Sequence, residues 1–329
     1  MNDNVRVYVP GKRDIRIAAI GGGHGLSTML RGLKRYTKNI TAIVTVADDG
    51  GGSGMLREDL GMLPPGDIRN CILALADMEP TMEKLMNYRF SEGTLSGQSF
   101  GNLFLAAMNG ISGSFDEAVH RVCDVLAITG RVLPVTNSNV YLEAEFADGS
   151  HCLGESKIFH AKKKVNSRIT QVRLVPEKPA ALPESLQAIE EADLILMGPG
   201  SLYTSIIPNF LVDGIAEAVA KSRAMKILVM NIMTQDGESE GYTGADHVRA
   251  LLDHAQPGII DVCIANNRRI SEEQLIPYWE EGVGPLELER QIIEEMGIRV
   301  YEYPLATSGR YIRHDPDALA AAIMEVYHK

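Results

Sequence analysis

The chain is predicted to fold as an α/β protein on a doubly wound, mostly parallel, Rossmann-like sheet with a small β-hairpin-containing insertion. Three observations predict this. A continuous apolar run, Ile15–Ile20, leads through the glycine loop Gly21–Gly25 to a helix over Leu26–Tyr36 and a second apolar strand, Ile40–Val46; this is the unit from which parallel sheets are wound. Later apolar runs at Asp193–Met197, Lys226–Ile232 and Ile259–Ala265 alternate with helical spacing near Val212–Ser222 and Asp246–His254, repeating the same unit. Between these two regions, Asn139–Ile158 switches to a period of two around Asp148-Gly149, which signals a hairpin.

The remaining elements complete that pattern. Asp67–Asp77 and Phe100–Asn109 carry apolar residues at helical spacing, the second after a glycine-serine stretch. The proline-rich Pro176–Pro183 reads as the linker from the insertion to the second half. Ile298–Tyr303 is the expected last strand, and Pro316–Tyr327 a closing helix with proline in its first turn. Residues 1–329 are therefore expected to form one α/β nucleotide-binding domain, with residues 139–175 as the insertion within it.

Composition narrows the function. The chain has 329 residues, 45% hydrophobic and 23% charged, with 32 basic against 43 acidic side chains and a net charge of −11. Such an acidic molecule is not expected to bind nucleic acid, so a phosphate ligand must be gripped locally. The compact basic cluster Lys162-Lys163-Lys164 is expected in a solvated loop. No apolar stretch of about 18 residues exists to insert into a membrane. Met1–Asp14 lacks the apolar core of a signal peptide, so a cytoplasmic location is expected. Cys71, Cys123, Cys152 and Cys263 have neither metal-ligand nor redox spacing, and are expected to be reduced.

The chemistry-bearing segments are glycine-rich and follow strands. Gly21-Gly22-Gly23-His24-Gly25 lets a phosphate approach the backbone and presents it to a helix N-terminus. Gly22, Gly23, His24 and Gly25 are the expected contacts. A tight turn without ligand needs fewer glycines. The loop lacks the last glycine of the dinucleotide fingerprint and has no Gly-Lys-Ser/Thr. Asp48-Asp49-Gly50-Gly51-Gly52-Ser53 follows the second strand. One of Asp48 and Asp49 could bind ribose, hold Mg²⁺ or act as a base, while Gly50 and Ser53 line the ligand; the bland alternative is a turn. Neighbours on a strand point opposite ways, so one aspartate is expected to face the ligand.

Gly66-Asp67 and Ser99-Phe100-Gly101-Asn102 each open a helix, with Asp67 and Ser99 able to act as N-caps and Asn102 as a ligand contact. Gly198-Pro199-Gly200-Ser201-Leu202-Tyr203-Thr204-Ser205 follows another buried strand. Gly198, Gly200, Ser201, Tyr203 and Thr204 are expected to form a second anion pocket. Near the end, Arg310 and Arg313 offer bidentate contacts to phosphate; ordinary surface arginines are the alternative.

In order along the chain, Gly21–Ser27, Val46–Arg57, Gly66–Asp77, Gly97–Leu103, Gly198–Val212 and Asn231–Gly244 resemble the YvcK-like branch of the CofD-like family, the superfamily of 2-phospho-L-lactate transferase. The resemblance runs from about Ile15 to His314. It implies a cytoplasmic factor for growth on gluconeogenic carbon sources, cell-wall synthesis and cell shape. It also implies a UDP-sugar or dinucleotide ligand, with phosphates on Gly22, Gly23, Gly25 and the Gly198–Ser205 loop. Asp48 and Asp49 match the acidic segment of the transferase branch, and Arg313 falls in the C-terminal region that helps hold the sugar nucleotide. Three residues depart from the family pattern: His24 replaces threonine, Gly52 serine and Gln98 histidine. Because Gln98 cannot exchange a proton, acid–base chemistry is not carried over to that position.

The leading expectation is thus a regulator that binds a small nucleotide ligand, forms a homo-oligomer such as a dimer, and meets a protein partner in the cell-wall pathway. A Mg²⁺-dependent transferase of a phosphorylated group is the rival. An NAD(P)-binding protein is the weaker third reading.

Overall fold

In the computed structural model, which describes residues 14–309 and 311–329, the strands form two sheets. The larger is wholly parallel. Its strands are β1 (Ile17–Gly21), β2 (Ile40–Val44) and β3 (Arg131–Pro134), and, after the smaller sheet, β7 (Leu194–Met197), β8 (Met225–Val229), β9 (Val262–Asn266) and β10 (Arg299–Tyr303). They lie in the order β10-β9-β8-β7-β1-β2-β3. Ile17 pairs with Ile40 on one side and Leu194 on the other.

Every residue of β1, β2 and β7 is buried, as expected of strands covered by helices on both faces. Each fully buried isoleucine or leucine contributes roughly 1.5–3 kcal/mol, so this apolar centre fixes the sheet. The helix Gly23–Leu33 packs on Gly66–Leu75 and on the closing helix Pro316–Tyr327. No helix among the described residues is long and apolar enough to cross a membrane.

The smaller sheet is antiparallel and is inserted between β3 and β7. It consists of β4 (Tyr141–Phe146), β5 (His151–Leu153) and β6 (Ile169–Val175) in the order β5-β4-β6. Leu142, Ala144 and Phe146 of β4 are buried while their neighbours are partly exposed, the alternation that gave the hairpin away. The hairpin ends at Leu153, however, and Ile158 belongs to the helix Glu155–Val165.

The lysine cluster therefore lies in the last turn of a helix and not in a solvated loop. Lys162 is buried and pairs with Glu240 at 2.8 Å, and Lys163 pairs with Asp236 at 2.5 Å. Basic groups are favoured at a helix C-terminus, and these two also tie the insertion to the segment after β8.

Candidate functional site

Strand order reverses between β1 and β7, and in open parallel sheets the crevice beyond the carboxyl ends at such a point takes ligands. A cavity of about 730 Å³ opens there, lined by loops that follow β1, β2, β7, β8 and β10 and by the first two turns of Glu155–Val165.

The β1 loop forms its floor. Gly23 has φ +64°, and a Cβ on Gly25 would sit 2.2 Å from the Pro199 carbonyl oxygen. Glycine is required at both positions, at one for its left-handed backbone and at the other for close approach of the β7 loop. The helix begins at Gly23, before the expected Leu26, and its N-cap residue, Gly22, has no side chain to cap it. Its N-terminal dipole thus opens into the cavity beside Gly22, Gly23, His24 and Gly25, all of which line it. His24 is exposed on this wall. Its imidazole is held below the usual range by partial burial, then by the charges of Arg313, Arg69 and Arg31. Arg313 lines the cavity as well. Arg310 lies outside the described residues.

The adjacent aspartates separate. Asp48 lines the cavity, accepting a hydrogen bond from the Gly50 amide at 2.9 Å and another from the Ser53 hydroxyl. Gly50 and Ser53 are accordingly Asp48's supports and do not border the cavity. Asp49 turns to the insertion, where its Oδ1 accepts from the Ser156 amide at 2.8 Å in the first turn of Glu155–Val165.

Two further acids share Asp48's wall. Asp67, one residue inside its helix and not its cap, accepts from the Gly23 amide. Burial, then repulsion from Asp48, pushes its carboxyl up to about 7. Glu155 is pushed up to about 8 by burial and by the charges of Asp48, Asp67, Glu238 and Asp49. Burial is also the main cause that raises Asp48. Among the described residues no group of three or more His, Cys, Asp or Glu side chains is arranged to hold a metal ion.

The β7 loop was expected to form an anion pocket from its hydroxyls and glycines. Gly200, Ser201 and Thr204 line the cavity, and the Gly200, Tyr203 and Thr204 amides are engaged by the protein itself. Gly200 N–H donates to Asn231 Oδ1 at 3.2 Å, and the Tyr203 and Thr204 amides donate to Glu238 Oε1 at 2.6 and 2.9 Å. Buried Glu238, pushed up to about 7 mainly by desolvation, occupies the place expected for an external anion. Hydroxyl-bearing Ser201, Thr204 and Ser205 are what this loop offers a ligand. Gly198 lies behind it. Tyr203 is buried in the core, its hydroxyl 2.8 Å from that of Tyr242.

Asn102 is likewise removed from the cavity. It is buried, its Oδ1 accepting from Arg69 Nη1 at 3.0 Å and its amide donating to the hydroxyl of Ser99, which caps the helix as expected. The two family departures Gly52 and Gln98 touch one another: Gln98 Nε2 donates to the Gly52 carbonyl at 3.2 Å, and neither lines the cavity.

The residues that complete the site were not singled out as ligand contacts from sequence. Gln235 and Asp236 come from a stretch used only for the family resemblance, Glu155 and Tyr278 sit in segments without a local motif, and His314 directly follows the expected contact Arg313. His314 is buried and donates from its ring to the Met230 carbonyl; desolvation takes it down to about 4, leaving Nε2 without a partner.

Known proteins share this architecture. Residues 17–306 match the family model of 2-phospho-L-lactate transferase CofD. A relative from Thermoanaerobacterium thermosulfurigenes is 55% identical over 310 residues, covering 94% of this chain and 96% of its own. The gluconeogenesis factor of Bacillus subtilis is 47% identical over 313 residues, covering 94% of this chain and 98% of its own. A crystal structure of a UPF0052-family protein from Bacillus halodurans superposes with a TM-score of 0.91 at 42% identity, covering 95% of this chain and 100% of that one. The chain belongs to the CofD family, within the branch of the gluconeogenesis factors.

Proposed function

We propose that the chain is a cytoplasmic regulator that binds a sugar nucleotide, UDP-N-acetylglucosamine first among candidates, and couples gluconeogenic carbon flux to cell-wall synthesis and cell shape. One observation carries the binding: the N-terminus of Gly23–Leu33 and the Arg313 guanidinium line the same cavity of about 730 Å³. That volume lies in the range of small-molecule sites. A helix N-terminus and a guanidinium give an acidic protein the local positive potential that a diphosphate needs. The names of its relatives support the carbon-flux side of the reading, and a dimer with a cell-wall protein partner belongs to it.

A second reading, a Mg²⁺-dependent transferase of a phosphorylated group, is favoured by the carboxyls of Asp48, Asp67 and Glu155 on one wall. Their crowding favours a proton or a cation. Asp48 and Asp67 would hold Mg²⁺, with phosphates and water completing its shell, and the ion would neutralise phosphate charge. Gln98 takes no part, being buried away from the cavity.

Thermal-shift titration with UDP-N-acetylglucosamine tests the first reading, because a ligand of the native state at a hundred times its Kd adds about 2.7 kcal/mol of stability. Arg313→Ala should weaken binding by roughly 1.5–3 kcal/mol, the worth of a hydrogen bond to a charged group, and Arg313→Lys should recover part of it. The unliganded melting temperature should not move. Wild-type affinity in Arg313→Ala sinks the assignment, and Mg²⁺-dependent release of a nucleoside phosphate moves the balance to the transferase.

A further inference from the structure

The cavity is chemically divided along the sheet. Its β2 end carries Asp48 with Asp67 and Glu155, its middle the β1 helix terminus, and its β8–β10 end Met233, Tyr278, Val283 and Ile312, beside Glu281 and the Lys163-paired Asp236. That far end rests on a hydrophobic cluster separate from the main core. Ile232, Ala306 and Ile312 form it, with Met233, Ile270, Leu275 and Tyr278 packed against them.

Tyr278 is fixed in this wall. It lies in the helix Glu272–Trp279, which has no buried residue of its own, and its hydroxyl accepts the Ile312 amide at 2.9 Å. Arg313 follows Ile312 directly, and its charge is felt by His24 on the β1 loop. The aromatic wall and the phosphate-facing groups are thus parts of one continuous surface.

We propose, on the basis of the nucleotide reading above, that Tyr278 and its apolar neighbours form the nucleobase subsite. The nucleotide then lies with its base over β8–β10, its diphosphate at the β1 helix and its sugar or other appended group toward Asp48 and Asp67. From β1 to β8 is two strand spacings, about 10 Å, a distance that a ribose bridges between diphosphate and base. The reverse orientation would place an apolar, π-faced base among three carboxyls and a hydroxyl-rich sugar against the apolar side chains. Base-to-aromatic contact tolerates any base, so Tyr278 sets the dependence on having a base and not the choice among bases.

Calorimetric titration of the full chain with UDP and with inorganic pyrophosphate separates the two subsites. Wild type should prefer UDP, and Tyr278→Ala should lose about tenfold or more in UDP affinity while its pyrophosphate affinity stays unchanged. Tyr278→Phe, which keeps the ring and loses the bond to Ile312, should retain most of the preference. The chain's single tryptophan, Trp279, directly follows Tyr278 in the same helix, so its emission should respond to UDP more than to pyrophosphate.

Equal losses for both ligands in a folded Tyr278→Ala, or none for either, overturn the base subsite while leaving nucleotide binding standing. If Tyr278→Ala does not fold, loss of the preference in Tyr278→Phe, or tryptophan emission that responds alike to both ligands, overturns it. Failure of wild type to bind UDP removes the nucleotide reading and the subsite with it.

Discussion

At the scale of single residues, two neighbouring aspartates illustrate how little chemical identity says about role. Asp48 is held by Gly50 and Ser53 and borders the cavity, whereas Asp49 places its carboxylate at the first turn of Glu155–Val165. Asp49→Ala should cost about 0.5–2 kcal/mol of stability, as loss of a helix cap does, and should leave nucleotide affinity nearly unchanged in the folded fraction. Asp48→Asn should do the reverse, because removing a charge from a crowded acidic wall relieves repulsion. Urea unfolding and calorimetry on both variants check the assignment, and exchanged phenotypes would refute it. Alternation along an extended chain predicted that the pair would divide, but not which member would face the ligand. The deciding partner, Ser156, lies 107 residues away. Distance in sequence also hides the acceptor of two β7 loop amides: the Glu238 carboxylate that takes them lies 35 residues from Tyr203.

At the scale of elements, the insertion meets the parallel domain through β6, whose Val172 amide donates to His254 Nε2 at 2.9 Å, and through one helix. Glu155–Val165 contributes Glu155 and Phe159 to the cavity and holds the segment after β8 through Lys162–Glu240 and Lys163–Asp236. Lys162 is buried and Glu240 only partly exposed, so removing the lysine leaves a carboxylate with its pairing lost. Lys162→Ala should destabilise by about 1–3 kcal/mol, less than for a fully buried pair. Hydrogen exchange should rise first in residues 155–165; uniform exchange across the chain would show that the helix is no separate unit. This helix and Gly51–Leu60 were missed in the sequence, one hidden behind a charge run and the other beginning in four glycine and serine residues. By contrast, β1, β2, β7, β8 and β9 were legible, because strands buried on both faces read as unbroken apolar runs, and β10, buried only at Val300, was placed from the Ile298–Tyr303 stretch. The short β3 and the half-exposed β6 have no such run, and they were not found.

At the scale of the whole molecule, the site's electrostatics set how stability responds to pH. Asp67 and Glu238 are raised to about 7 and Glu155 to about 8. The native state therefore keeps protons that the unfolded chain releases above about pH 4, so these groups make stability fall as pH rises toward their folded values. His314 at about 4, with His247 and His254 also lowered by burial, acts in the opposite sense. The unfolded chain gains protons below about pH 6.5 that the native state refuses, so stability falls as pH drops from there toward 4. Between about 4.5 and 6.5 the two slopes oppose each other; above 6.5 only the carboxyls remain. The unliganded protein should therefore melt at a lower temperature at pH 8 than at pH 6. General repulsion in a chain of net charge −11 pushes the same way, but it is a surface effect that salt screens within about 3 Å at 1 M. The buried cluster is screened far less. The difference between pH 6 and 8 should consequently persist in 1 M salt and shrink in Glu155→Gln and Asp67→Asn, which carry no proton to lose. A melting temperature that is flat or rising from pH 6.5 to 8 would show that these carboxyls are already ionised in the folded state, and their wall would then need a bound cation even without nucleotide.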